Sequence, residues 1–150
     1  MEKLKTKTVI KMLQDDGWLE MEIVKVTVDW LDNYGAVSDQ VPGCVATAGS
    51  YEAIKEAYAS ALEFHKEGLD VNEVPACLQG EYKLEFELTT RALLHLLDGT
   101  LTRAAISRVT GINEKQLYHY MSGIRTARSD KREKIVAAIH EIGQRLISVV

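Results

Sequence analysis

Residues 81–88, "EYKLEFEL", alternate apolar and charged side chains, and from Thr89 the period changes to helical in "TTRALLHLLDG". That change constrains the fold more than any other feature. Alternation puts Tyr82, Leu84, Phe86 and Leu88 on one face, which suits a strand packed on one side and solvated on the other. A helical period needs a bundle partner instead. The chain therefore reads as α+β, with a sheet-bearing part up to residue 88 and an all-α part from 89 to 150.

Upstream, "MEIVKVTVDW" alternates and is rich in β-branched residues, as strands are. The turn "DNYG", the strand "AVSDQV", the corner "PGC" and a third strand "CVATA" follow, as in an antiparallel meander. Ser50 is placed to cap the helix "YEAIKEAYASALEFHKEG". Ile54, Ala57, Tyr58, Ala61, Leu62 and His65 share one face of it, and Gly68 is expected to close it in a left-handed conformation. A connecting loop over 69–80 contains Pro75. Residues 21–88 thus form a β-β-β-α-β unit. Ahead of it, "TKTVIKMLQDD" over 6–16 groups Val9, Ile10, Met12 and Leu13 as a short helix would, ended by Gly17.

After Thr89, which caps the first helix, come "LTRAAISRVTG", "NEKQLYHYMSG" and the longer "SDKREKIVAAIHEIGQRLISVV". Asp130 and Glu133 have the spacing of a capping box. Ile135, Ile139, Ile142 and Leu146 make the expected buried stripe of that last helix. Four helices with short turns form a small bundle.

The formal charge of −4 hides an asymmetry. Residues 1–88 hold 8 Lys+Arg against 17 Asp+Glu, net −9, and residues 89–150 hold 10 against 5, net +5. Two halves with different partners are implied. No apolar run approaches the roughly 18 residues of a membrane span, and the N-terminus lacks a signal-peptide pattern. Cys44 and Cys77 have no metal-ligand spacing. They read as buried free thiols of a reducing cytoplasm, with a disulfide as the alternative.

Within the basic half, Ser107 and Gly111 are four apart, followed by Asn113. A helix-turn-helix needs a small residue where its helices cross, a left-handed turn, and apolar anchors. Ser107, Gly111 and the set Ile106, Ile112, Leu117 and Tyr120 supply these. Asn113 can cap the next helix, with Gln116 reciprocating. Glu114, Lys115, Gln116 and His119 then point outward from its first turns, where base edges of the major groove would be read. Tyr118 can meet a phosphate or a thymine methyl. Behind it, Ser122, Arg125, Arg128, Lys131, Arg132 and Lys134 form a polar, basic stretch suited to the DNA backbone. Solvated cations on a bundle are the bland alternative, and a protein–protein helical module is the next.

"VPGCVATAGSYEAIKEAYASALEFHKEGL" resembles the HicB antitoxin family in the order and spacing of its strand–Pro-Gly-Cys–strand–helix segment. The segment running from "YKLEFELTTRALLHLLDG" to "HEIGQRLISV" is similar to the helix-turn-helix tail of Bacteroides-type members. The resemblance spans roughly residues 21–149. It implies a partial ribonuclease H-like domain that blocks a HicA-type mRNA-cleaving toxin, and a C-terminal domain that represses the operon on operator DNA. It also implies a homodimer or higher oligomer. Residues 1–20 depart from the pattern. They look like the opening helix of a HicA toxin without its Gly-Ser-His segment, so an upstream frame or misassigned start is one reading and a native extension the other.

A ribonuclease H-like fold raises the question of catalysis, because such enzymes hold two metals on several carboxylates. Asp29, Asp32 and Asp39 are the candidates, and only fold analogy would bring them together. His65, His95, His119 and His140 show no HxxxH or HExxH spacing. The expectation is a non-enzymatic chain with no cofactor and no metal. Its acidic half would attract and cover a cationic toxin, or simply keep the domain soluble. The alternative is a stand-alone DNA-binding regulator whose α+β domain senses another ligand or protein.

Overall fold

The computed structural model describes residues 9–14 and 17–150. The chain divides into two compact units, Met1–Glu87 and Leu88–Val150. Among the described residues the architecture is α+β, with a five-stranded sheet and five α-helices.

The first unit is built on one long strand. Strand β1 (Val9–Gln14) pairs antiparallel with the start of β2 (Gly17–Leu31), in the register Val9 opposite Glu22 through Gln14 opposite Gly17. The short helix expected over 6–16 is therefore a strand from 9 to 14; residues 6–8 and 15–16 lie outside the described residues. The error has a physical cause. A brief apolar cluster carries no period long enough to separate helix from strand, and pairing with β2 decides the matter. Gly17 is a strand partner here and ends no helix.

Along β2, Val24, Val26 and Val28 are fully buried while Lys25 and Thr27 are exposed. Asp32 then turns the chain alone, with φ at +63°, so that Leu31 faces Asn33 in β3 (Asn33–Val37). The expected four-residue "DNYG" turn is tighter than that, and Asn33–Gly35 belong to the strand. Aspartate is among the few side chains that enter the left-handed region at modest cost. Strand β3 also ends earlier than "AVSDQV" suggests. Past its last β2 pair, Thr27 with Val37, the side chain of Gln40 takes over: it accepts from the Lys25 N–H at 2.8 Å and donates to the Ile23 carbonyl at 3.1 Å. Strand β4 (Val45–Ala48) completes the β1-β2-β3-β4 order, and β5 (Tyr82–Leu88) pairs with β2 as well.

Helix α1 (Tyr51–Glu67) lies between β4 and β5 in sequence. Ser50 caps it, accepting from the Ala53 N–H at 3.1 Å. It buries Ile54, Tyr58 and Leu62, one side chain per turn, and the Tyr58 ring meets Phe86 of β5 edge-on at 6.3 Å. Gly68 ends the helix with φ at −80°, which any residue could adopt, so the expected left-handed closure is absent. A single 3₁₀ turn, Ala76–Leu78, buries Cys77 and Leu78. Both Cys44 and Cys77 are free and buried, and burial raises their thiol pKa.

The second unit contains α2 (Thr90–Leu97), α3 (Arg103–Thr110), α4 (Glu114–Met121) and α5 (Ser129–Ile147). Thr89 and Thr102 cap the first two, each accepting from the N–H three residues on. Leu94, Ile106, Ile112, Leu117, Tyr120 and Ile135 form the buried cluster, with Ile139 partly buried against it. Burying each such aliphatic side chain stabilises by about 1.5–3 kcal/mol before chain entropy is subtracted. Helix α5 is capped differently from the expectation. Its N-cap is Arg128, whose side chain makes no capping bond, and Asp130 lies inside the first turn. There its negative charge favours the positive end of the helix dipole. The expected buried stripe also ends early, since Leu146 is 65% exposed.

Candidate nucleic-acid interface

The arrangement of α3 and α4 begins with Gly111. Its φ of +75° reverses the chain after α3, while its N–H bonds the Ser107 carbonyl at 2.8 Å. The Thr110 hydroxyl reinforces the corner, donating to the Ile106 carbonyl at 2.7 Å and accepting from the Ile112 N–H at 3.1 Å. Ile106 before this corner and Ile112, Leu117 and Tyr120 after it are all buried. Asn113 opens α4, accepting from the Gln116 N–H at 2.8 Å.

On α4, Glu114, Lys115 and Tyr118 are exposed, while Gln116 and His119 are half-buried. Gln116 does not reach back to Asn113 as a capping box would. Its amide donates to the Tyr120 hydroxyl at 2.6 Å, one turn further along α4. Tyr118 carries an unforeseen neighbour: the Arg103 guanidinium stands 5.2 Å from its ring centre and also approaches the Met121 sulfur at 3.9 Å. A cation over an aromatic face at that distance is attractive. Nothing in the spacing of the sequence joins the first residue of α3 to the middle of α4.

The end of α4 sets the course of the basic stretch. Gly123, with φ at +79°, turns the chain so that the Arg125 N–H bonds the His119 carbonyl at 3.1 Å, and the Ser122 hydroxyl donates to the same carbonyl at 3.4 Å. The Arg91 side chain lies across Gly123, 2.7 Å from where a β-carbon would stand. His95 of α2 holds the Met121 carbonyl at 3.0 Å.

Between α4 and the start of α5 lies a cleft of about 650 Å³, lined by Gln116, Tyr120, Arg125, Thr126, Arg128, Asp130 and Lys131. It brings Gln116 together with three of the expected backbone-binding cations. Arg125, Arg128 and Lys134 are exposed and Lys131 is half-buried. Arg132 is employed elsewhere, donating to the Leu88 carbonyl at 2.8 Å, so its role within the unit is to fasten α5 to the residue that precedes α2's cap.

Asp29, Asp32 and Asp39 form no such constellation. The Asp29 carboxylate accepts from the adjacent Trp30 N–H at 2.8 Å, Asp32 makes the turn, and Asp39 is exposed. Among the described residues no group of three or more His, Cys, Asp or Glu is placed to hold a metal. No described helix is long and apolar enough to cross a membrane.

No family model matches the chain, and no curated protein matches it either.

Proposed function

We propose that this chain is a HicB-like antitoxin. In this reading the first unit is a partial ribonuclease H-like domain that covers a cationic, HicA-type toxin, and the second is a helix-turn-helix domain that represses the operon. The observation that carries it is the α3–Gly111–α4 corner. Glu114, Lys115 and Tyr118 stand exposed on the first turns of α4, with Arg125, Arg128 and Lys131 grouped around the cleft behind them. That is a base-reading surface backed by phosphate-binding cations. The acidic balance of residues 1–88, net −9, supports a basic partner for the first unit. No catalytic group is assigned. Two copies on half-sites about 34 Å apart would supply the interface that one eight-residue helix lacks.

An open groove of about 340 Å³ in the first unit, between Gly43–Val45 and the end of α1, supports the second reading, a regulator whose first unit senses another ligand or protein. Co-purification with the product of the neighbouring gene, followed by a mobility-shift assay on the upstream promoter fragment, separates the two. Stable capture of a small basic protein and retarded promoter DNA are expected. Retarded DNA without a captured protein favours the regulator, and failure of both sinks the proposal.

A further inference from the structure

Arg103 differs from the other cations of the second unit in the company it keeps. It is the first residue of α3 and half-buried, whereas Arg125, Arg128 and Lys134 stand exposed. Its guanidinium lies 5.2 Å from the centre of the Tyr118 ring and 3.9 Å from the Met121 sulfur. Among the described residues no carboxylate pairs with it. A planar guanidinium can stack on an aromatic face, which a compact ammonium does less well. The two neighbours lie on adjacent turns of α4, so one side chain of α3 grips α4 at two points.

The ring it covers is 48% exposed and follows Glu114 and Lys115 by one turn, on the same side of α4. A tyrosine standing alone there would move among its staggered positions, and any ligand would have to order it. The guanidinium restrains the ring beforehand. Its other neighbour is itself fastened, because His95 of α2 holds the Met121 carbonyl at 3.0 Å. A phosphate needs only the hydroxyl at the end of a mobile side chain. Contact with the methyl group of a thymine needs the ring in one place.

We propose that Arg103 is a positioning residue: it fixes the Tyr118 ring against the 5-methyl group of one thymine in the major groove and takes no phosphate itself. The proposal rests on the helix-turn-helix reading above and deepens it by adding a residue outside α4 and the basic stretch.

Anisotropy titrations of the full chain test it, with the promoter fragment and with an unrelated duplex, each over a range of salt. Replacing the fragment's thymines one at a time by deoxyuridine removes a methyl group and nothing else. The wild type should lose about fourfold in affinity at one position, the weight of one buried methyl. Arg103→Met should lose about as much on the unsubstituted fragment, become insensitive to deoxyuridine at that position, and keep the wild-type salt slope. Its effect and that of Tyr118→Leu should not add, since both remove one contact. Circular dichroism checks that the variants are folded, and Arg103→Gln takes the place of Arg103→Met if that protein is not. Additive losses overturn the proposal. So does a salt slope shallower by about one unit with equal losses on both duplexes, which would make Arg103 a phosphate contact. A wild type that retains the promoter but shows no sensitive thymine overturns this role alone, and one that retains no duplex overturns the proposed function and this role with it.

Discussion

Gly111 and Gly123 both hold positive φ values, but they differ in what surrounds them. Nothing lies within 4 Å of a β-carbon at Gly111, so Gly111→Ala meets only the backbone cost of the left-handed region, about 1–2 kcal/mol. At Gly123 the Arg91 side chain must also move. Urea melts should therefore rank Gly123→Ala at least as damaging as Gly111→Ala, and a neutral Gly111→Ala would show that the corner tolerates another conformation. The Gln116 amide is held by Tyr120, which under the proposed function restrains how it would meet a base. Tyr120→Phe should alter preference at one operator position while leaving the dependence of affinity on salt unchanged. Arg128→Ala should do the reverse: binding weakens on every sequence alike, and the salt slope becomes shallower by about one unit. Equal shifts in specific and nonspecific affinity for both variants would end that division of roles. The Asn113 cap was legible because capping is local. The Gln116 bond was not, because one amide had two partners within reach and only packing chose between them.

At the scale of elements, periodicity worked where it was long and failed where it was short. Strand β5 and helix α1 each repeat their pattern enough times to be read. Residues 9–14 do not, and β2 made them a strand. Helix α5 shows a different failure: the apolar row was visible, but its spacing does not say where the rest of the bundle stops. Arg132 is the third case. In sequence it is one cation among several, yet it spans from α5 to the Leu88 carbonyl. A hydrogen bond from a charged donor is worth about 1.5–3 kcal/mol, so Arg132→Met should lower the stability of the second unit by an amount of that order. Lys134→Met, at an exposed position, should leave it within about 0.5 kcal/mol. Denaturant unfolding followed by helix signal compares the two. Equal stabilities would show that the bond from Arg132 to the Leu88 carbonyl does not fasten the unit.

For the whole molecule, the titratable groups with displaced pKa values gather in the first unit. Burial, and then the hydrogen bond to Glu63, pushes Tyr82 up to about 12. Burial also raises Tyr34, Tyr58, Cys44 and Cys77. In an unfolded chain the thiols ionise near about 8.5 and the tyrosines near about 10. The folded unit keeps those protons longer, so their contribution is fully present below about pH 8.5 and is lost as pH climbs through the thiol and tyrosine ranges toward about 12. Urea midpoints taken at neutral pH, then at two alkaline values, should fall progressively; a flat profile would mean these groups are hydrated in the folded state. The charge division between the halves was plain in the sequence, because it needs only counting. The tie made by Gln40 was not, since a polar residue three positions past a strand gives no sign of where its amide will land.

That tie has a consequence for how an interior strand can change neighbours. Lys25 N–H and Ile23 C=O fall between the β1 pairing, which reaches Glu22, and the β3 pairing, which starts at Thr27. Left bare, two main-chain polar groups in that gap would lack partners. A glutamine amide presents a donor and an acceptor in one small head, so a single side chain stands in for the missing rung.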